Sequence, residues 1–245
     1  MTVETLDRES LEELSERGFS RRQLGRIAML LGAGAAVSHF TGPALAQQSA
    51  KGKVGAVRIG SNECWTGPFS EGVEAATQMA IQGNRYEPSD QHDKLVSTVA
   101  AVEGIPKESI LAFPGSSDPL NRFIVTFCGP GKGLVTGNPS YEQGWRTAQW
   151  LGVKLTRVPL TPDYRHDVKA MLAADPNAGA YYVCSPNNPT GTVTPIQDIE
   201  WLLANKPKDS IVVVDEAYIH FSEGPNAAKL AASRDDVIVL RTFSK

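Results

Sequence analysis

The sequence predicts an α/β fold, a mostly parallel sheet sandwiched by helices, and three features predict it. Several short runs, "SIVVVD" and "VIVL" among them, are apolar at successive positions, as strands buried on both faces require. Stretches with apolar residues at helical spacing alternate with these runs. The segments that follow the runs are polar and rich in Pro, Gly, Asn and Ser, and ligands gather beyond the carboxyl ends of strands in such sheets.

The first 46 residues read differently from the rest. Arg21 and Arg22 stand side by side in "SRRQLGR", a weakly apolar run from Ile27 to Val37 follows, and "ALA" at 44–46 offers small residues to a signal peptidase. The run is too short to span a membrane, which takes roughly 20 residues. The segment resembles a twin-arginine export signal, with Leu24 and Gly25 where such signals favour a bulkier pair. The acidic "LDRESLEELSER" ahead of it reads as a solvated extension. This resemblance implies export by the twin-arginine translocase, cleavage near Ala46 and a periplasmic or secreted product. The alternative reading of the same residues is an amphipathic helix that belongs to the folded domain.

From Gln47 to about Gly60 the chain is polar and suits a linker. Further on, the strand-like "SILAF" runs into the turn "PGSSD". "DPLNRFIVTFC" then carries Leu120, Phe123, Ile124 and Phe127 on one helix face, with Pro119 in the first turn and Ser117 or Asp118 as the cap. "GLVTG" reads as a strand, "YEQGWRTAQWLG" as a helix, "KLTRVPL" as a strand, "HDVKAMLAA" as a helix and "GAYYVCS" as a strand. "TPIQDIEWLLAN" is a helix capped by Thr194 with Pro195 at its first position, and "SIVVVDEAY" and "DVIVLRTFS" close the series as strands.

With 245 residues, 41% of them hydrophobic, the chain can build one sizeable core, or one domain and part of a second. A formal net charge of −3, with no basic tract beyond the N-terminus, leaves no electrostatic footprint for nucleic acid. Cys64, Cys128 and Cys184 are too few and too scattered for a disulfide framework. Neither they nor His39, His92, His166 and His220 show metal-ligand spacing, so no metal is expected and the histidines read as structural or surface residues. "GPGKG" at 129–133 has Gly133 where a phosphate-binding P-loop needs Ser or Thr, and reads as a helix-to-strand turn.

The strand ends carry the chemistry. Asn187 and Asn188 follow "AYYVC", Asp215 ends "IVVVD" with Tyr218 close behind, and Ser244 and Lys245 follow "VIVLRTF". Ser116 and Ser117 open a helix whose free N–H groups suit a phosphate. A carboxylate beneath an aromatic nitrogen keeps that nitrogen protonated, and a lysine at a dry strand end can form an imine. Phosphate, pyridine nitrogen and aldehyde are the three handles of pyridoxal 5′-phosphate.

"SPNNPTG", "VVVDEAY" and "LRTFSK", in this order, resemble the large domain of fold-type-I pyridoxal-phosphate aminotransferases, of class I/II. "SNE" at 61–63 and "NRY" at 84–86 add a resemblance to the histidinol-phosphate aminotransferase subgroup. The resemblance implies a seven-stranded type of sheet, residues 47–80 as linker and first part of a small domain, and residues 81–245 as the cofactor-binding large domain. It implies that Lys245 bonds to the cofactor aldehyde and later moves the α-proton, that Asp215 pairs with the pyridinium nitrogen, and that Tyr218 and Asn188 hydrogen-bond the ring's phenolic oxygen. Tyr141 would stack on the ring, Ser116, Ser117 and Ser244 would hold the phosphate, and Tyr86 would reach the phosphate of the other subunit in a homodimer.

The implied reaction is transamination between a small-molecule amino donor, an amino acid or an amino-phosphate such as histidinol phosphate, and a 2-oxo acid acceptor. A decarboxylase or lyase of the same fold, and a non-catalytic truncated fragment, are the alternatives. Cys64 and Trp65 depart from the subgroup's pattern at the substrate mouth. The family's second phosphate-binding arginine, its carboxylate-gripping arginine and most of the small domain fall beyond Lys245, so the residues given are expected to be a truncated copy, inactive alone.

Overall fold

Five strands hydrogen-bond into one parallel sheet in the computed structural model, which describes residues 7–32, 60–64, 66–86 and 91–245. They are β1 (Leu134–Asn138), β2 (Leu155–Pro159), β3 (Ala180–Cys184), β4 (Ile211–Asp215) and β5 (Val237–Leu240), in the order β2-β1-β3-β4-β5. The expected parallel sheet is therefore present, with five strands among the described residues where the resemblance implied seven. "SILAF" is the exception among the expected strands. A single 3-10 turn, Lys107–Ser109, leads into extended backbone there, with no partner strand among the described residues.

Helices α1 (Arg8–Glu16), α2 (Arg21–Gly32), α3 (Ser70–Ala80), α4 (Gln91–Glu103), α5 (Ser117–Phe127), α6 (Gln143–Leu151), α7 (Val168–Ala174), α8 (Ile196–Asn205) and α9 (Ala228–Ala232) complete the described elements. Two compact units result. One holds described residues 7–32 and 113–244, and the other holds the described part of 45–112 with Lys245. In the second unit α4 buries Val96, Lys107 pairs with Asp93 at 2.9 Å, and α3 buries no side chain.

Strand alternation divides the larger unit into two apolar layers. Leu134, Ala180, Tyr182, Cys184, Val213 and Leu240 face α5 and α6, packing with Leu120, Phe123, Ile124 and Leu151. Val135, Tyr181, Val183, Val212 and Val214 face the other way, against Met171, Ile199 and Leu202 of α7 and α8. The helix caps depart from expectation. Ser116, not Ser117 or Asp118, stands at the cap position of α5, without a side-chain capping bond, and Pro195 rather than Thr194 precedes α8, because Thr194 is drawn into the fold where its N–H meets Ser185 Oγ at 3.0 Å.

The N-terminal segment corrects the reading of a solvated extension. Helices α1 and α2 lie on the larger unit, with Leu14, Phe19, Ile27 and Leu30 buried in the α5–α6 layer. Their polar groups serve helix ends that would otherwise keep unmet carbonyls. Arg17 donates to the carbonyls of Val125, Thr126 and Cys128 at the end of α5, at 3.0, 2.7 and 3.2 Å. Gln23 donates to Leu151 O at 2.8 Å, and Arg26 reaches Trp150 O, both at the end of α6. Positive charge at a helix C-terminus also complements the helix dipole. The residues of the expected cleavage site, 44–46, lie outside the described residues, as does Trp65. No described helix is long and apolar enough to cross a membrane.

Ile27 is fully buried, so Ile27→Ala should weaken the docking of α2 by about 2–5 kcal/mol. Hydrogen exchange of the α2 amides in the uncleaved chain reads this directly. Faster exchange confined to residues 8–32 is expected, and unchanged protection would contradict the docking.

Candidate functional site

Strand β1 pairs with β2 on one side and β3 on the other, so the strand order reverses beside it. The crevice beyond such a switch point is where open α/β sheets bind ligands. Tyr141 comes from the loop after β1, Asn188 from the loop after β3, and Asp215 from the end of β4, with Cys184 opposite Asp215 in register. The N-terminus of α5, carrying Ser116 and Ser117, covers the same face of the sheet.

Asp215 is 2% exposed, which removes a full charge from water. Two donors compensate: Tyr182 gives its hydroxyl to Oδ2 at 2.7 Å, and Ala217 N–H reaches Oδ1 at 3.1 Å. The half-buried phenol of Tyr141 stands among Ser117, Asp215, Tyr218 and Cys184. Burial, and then the Asp215 charge, raise its ionisation above the ordinary phenol range. Burial and Asp215 likewise push the Cys184 thiol up to about 12, so it is a neutral packed group, and the N–H of Asn188 approaches its sulfur.

The structure thus brings Ser117, Tyr141, Asp215 and Tyr218 together, with the backbone of Asn188 alongside. Ser116 is half-buried and its hydroxyl makes no capping bond to α5. Ser244 is exposed and its hydroxyl lies 3.0 Å from that of Thr242. The segment leading to it is tied to the end of β4 by Arg241, which donates to Glu216 Oε2 at 2.9 and 2.8 Å while Ala227 N–H reaches Glu216 Oε1 at 2.6 Å. Tyr86 and Lys245 belong to the second unit, both exposed.

The Asn187–Asn188 pair divides its labour. Asn187 is buried: Ser140 Oγ donates to its Oδ1 at 2.9 Å, and its Nδ2 donates to Pro139 O and Thr190 Oγ1 at 3.1 and 2.8 Å. It locks the loop after β3 to the loop after β1, which fixes Asn188 and Tyr141 relative to each other. Behind this lock lies the buried His166, whose Nε2 accepts from Cys184 N–H at 3.3 Å. The ring lies so close to β1 that a Cβ on Gly137 would fall 2.5 Å from its Nδ1. Sequence reasoning named Asn187 at its strand end without a role, read His166 as structural or surface, as its burial bears out, and missed Tyr182. For Tyr182 a signal existed, because a tyrosine inside an all-apolar buried strand must find an acceptor for its hydroxyl.

Burial lowers the His166 pKa from 6.5 to about 4. The neutral imidazole is the form the fold accepts. The stability that depends on it is complete above pH 6.5 and is lost as pH falls toward about 4, a span worth roughly 3 kcal/mol. Urea unfolding at stepped pH should show wild type losing about that much more than His166→Leu between pH 6.5 and 4. Parallel losses in the two proteins would show that His166 does not titrate with folding.

Residues 55–245 match the family "Aminotransferase class I and II". The chain is 35% identical over 193 residues to the aromatic amino acid aminotransferase of Rhodococcus jostii, covering 78% of this chain and 54% of that protein. It is 34% identical over 194 residues to the histidinol-phosphate aminotransferase of Moorella thermoacetica, covering 77% and 50%. The crystal structure of histidinol-phosphate aminotransferase from Sinorhizobium meliloti in complex with pyridoxal-5′-phosphate superposes with a TM-score of 0.70 at 27% identity, over 84% of this chain and 56% of that one. The chain spans about half the length of these relatives. With the family matched across most of its residues and relatives of this identity, the chain belongs to the class I and II aminotransferases.

Proposed function

We propose that this chain carries the cofactor half of a pyridoxal-phosphate-dependent aminotransferase. The amino donor is an amino acid or an amino-phosphate such as histidinol phosphate, and the acceptor is a 2-oxo acid. The observation that carries the reading is the buried Asp215 carboxylate at the end of β4, close to the Tyr141 phenol, on which Ser117 and Tyr218 also act. That donor set fits the cofactor: a buried anion for a ring nitrogen, a phenol held among polar groups for the ring face, and helix-opening hydroxyls for a phosphate. When bound, pyridoxal phosphate supplies a protonated ring that withdraws electrons from the substrate's α-carbon.

Asp215 would keep the proton on the ring nitrogen, and a charge-assisted hydrogen bond of that kind is worth about 1.5–3 kcal/mol. Tyr141 would cover one ring face, and Tyr218 and Asn188 would hydrogen-bond the phenolic oxygen. The hydroxyls of Ser116, Ser117 and Ser244 would hold phosphate oxygens, with the N–H groups that open α5. Lys245 Nζ is the group that would hold the aldehyde carbon, its carbonyl oxygen leaving as water, and that would move the proton at the substrate's α-carbon once displaced. Tyr86 of one subunit would reach the phosphate in the other, in a homodimer. Borohydride reduction of the full-length protein with pyridoxal phosphate, followed by peptide mapping, should place a pyridoxyl group on Lys245. Label on Lys229 or Lys169 instead would overturn the assignment.

The N-terminus adds a proposal of export by the twin-arginine translocase to the periplasm or beyond. The adjacent Arg21 and Arg22, both exposed on α2 ahead of the apolar run, support it, as do the small residues at 44–46. Recognition of the signal then requires α2 to leave its docked position, since Ile27 and Leu30 are buried there. Cell fractionation should find Arg21→Lys/Arg22→Lys precursor retained in the cytoplasm. Export equal to wild type would reject the signal.

A further inference from the structure

Two buried tyrosines stand next to each other in β3 and point to opposite faces. Tyr181 gives its hydroxyl to the backbone carbonyl of Asp175 at 3.1 Å. Tyr182 gives its hydroxyl to a carboxylate, Asp215 Oδ2, at 2.7 Å. The register makes this possible. Cys184 is opposite Asp215 and Tyr182 opposite Val213, so Tyr182 lies two residues below Asp215 on the same face, and a phenol is long enough to reach up beside the carboxylate. Neither tyrosine is exposed at all.

We propose that Tyr182 is a positioning residue for the transamination: by donating to Asp215 Oδ2 it holds that carboxylate ionised and oriented, so that the proton shared with the cofactor's ring nitrogen rests on the nitrogen. The inference depends on the reading of this crevice as a pyridoxal-phosphate site. A donor on a carboxylate stabilises its charged form and makes it a weaker base. In a buried site the shared proton has two resting places, the nitrogen or a carboxylate oxygen. Each donor that Asp215 receives from the fold tilts the proton toward the nitrogen, with no proton gained or lost overall. Tyr182 is suited to remain a donor, because burial, with Cys184 and Asp215 close by, raises its own ionisation well above the ordinary phenol range. Cys184 stays a neutral thiol for the same reason and adds no competing charge.

The test is the 15N resonance of pyridoxal phosphate labelled at the ring nitrogen, bound to the full-length protein. Wild type should give a pyridinium-like signal. Tyr182→Phe should shift it toward the unprotonated pyridine value, corresponding to about a tenfold change in the ratio of the two proton positions, the effect of one charge-assisted hydrogen bond. Tyr181→Phe, which removes the neighbouring hydroxyl from the other face, should leave the signal in place. Should Tyr182→Phe fold poorly, 3-fluorotyrosine at position 182 keeps the donor and strengthens it, and should move the resonance further toward pyridinium. A wild-type pyridinium signal that neither change at position 182 moves would overturn the role of Tyr182. Absence of cofactor binding, or an unprotonated nitrogen in wild type, would instead reject the reading of the crevice itself.

Discussion

Asp215 gives up the hydration of a full negative charge to sit at the buried end of β4, and the surrounding residues are arranged around that cost. The carboxylate receives a phenol from β3 and an N–H from the turn that follows its own strand. The phenol is in place only because the parallel register sets Cys184 opposite Asp215, which brings Tyr182 to the right height. A one-residue slip of β3 would turn Tyr182 to the other face and leave the charge short of a partner. The sheet is thus the device that fixes the charge, and the charge gives the crevice its chemistry.

Around that centre, the loops are held by buried polar groups rather than by apolar packing. Asn187 joins the turn after β1 to the turn after β3, and His166 packs behind them, accepting from Cys184 N–H. Glu216, next to Asp215, pairs with Arg241 and so ties the segment after β5 to the end of β4. Two pairs of neighbouring strand ends, β1 with β3 and β4 with β5, are therefore cross-linked by hydrogen bonds and an ion pair in a region of low exposure, where such bonds are strong and unmet groups are costly. Groups that must meet a ligand are better placed on a frame of this kind than on free loops.

Much of this was legible in the sequence, for identifiable reasons. The strands were readable because β3 and β4 are apolar at nearly every position, and α5 because Leu120, Phe123 and Ile124 recur at helical spacing. Asp215 and Asn188 were nameable because chemistry collects after strand ends, and Tyr141 only through the family resemblance. Tyr182 escaped notice because its role depends on cross-strand register, which no local pattern encodes. The caps of α5 and α8 were misplaced because tertiary demands on Thr194 outweighed its local preference. The N-terminal helices were the largest surprise. Amphipathic spacing in "RRQLGRIAMLL" was visible, but the match between Arg17 or Gln23 and the carbonyl ends of α5 and α6 depends on packing.

The central claim is that Asp215 is the anion that meets a cofactor ring. A crystal structure of the full-length protein grown with pyridoxal 5′-phosphate tests it most directly. The account predicts the ring in the crevice between Tyr141 and the sheet, with its nitrogen within hydrogen-bond distance of an Asp215 oxygen and Tyr182 still bonded to the carboxylate. A ring bound with its nitrogen away from Asp215, or no bound ring at saturating cofactor, would contradict it.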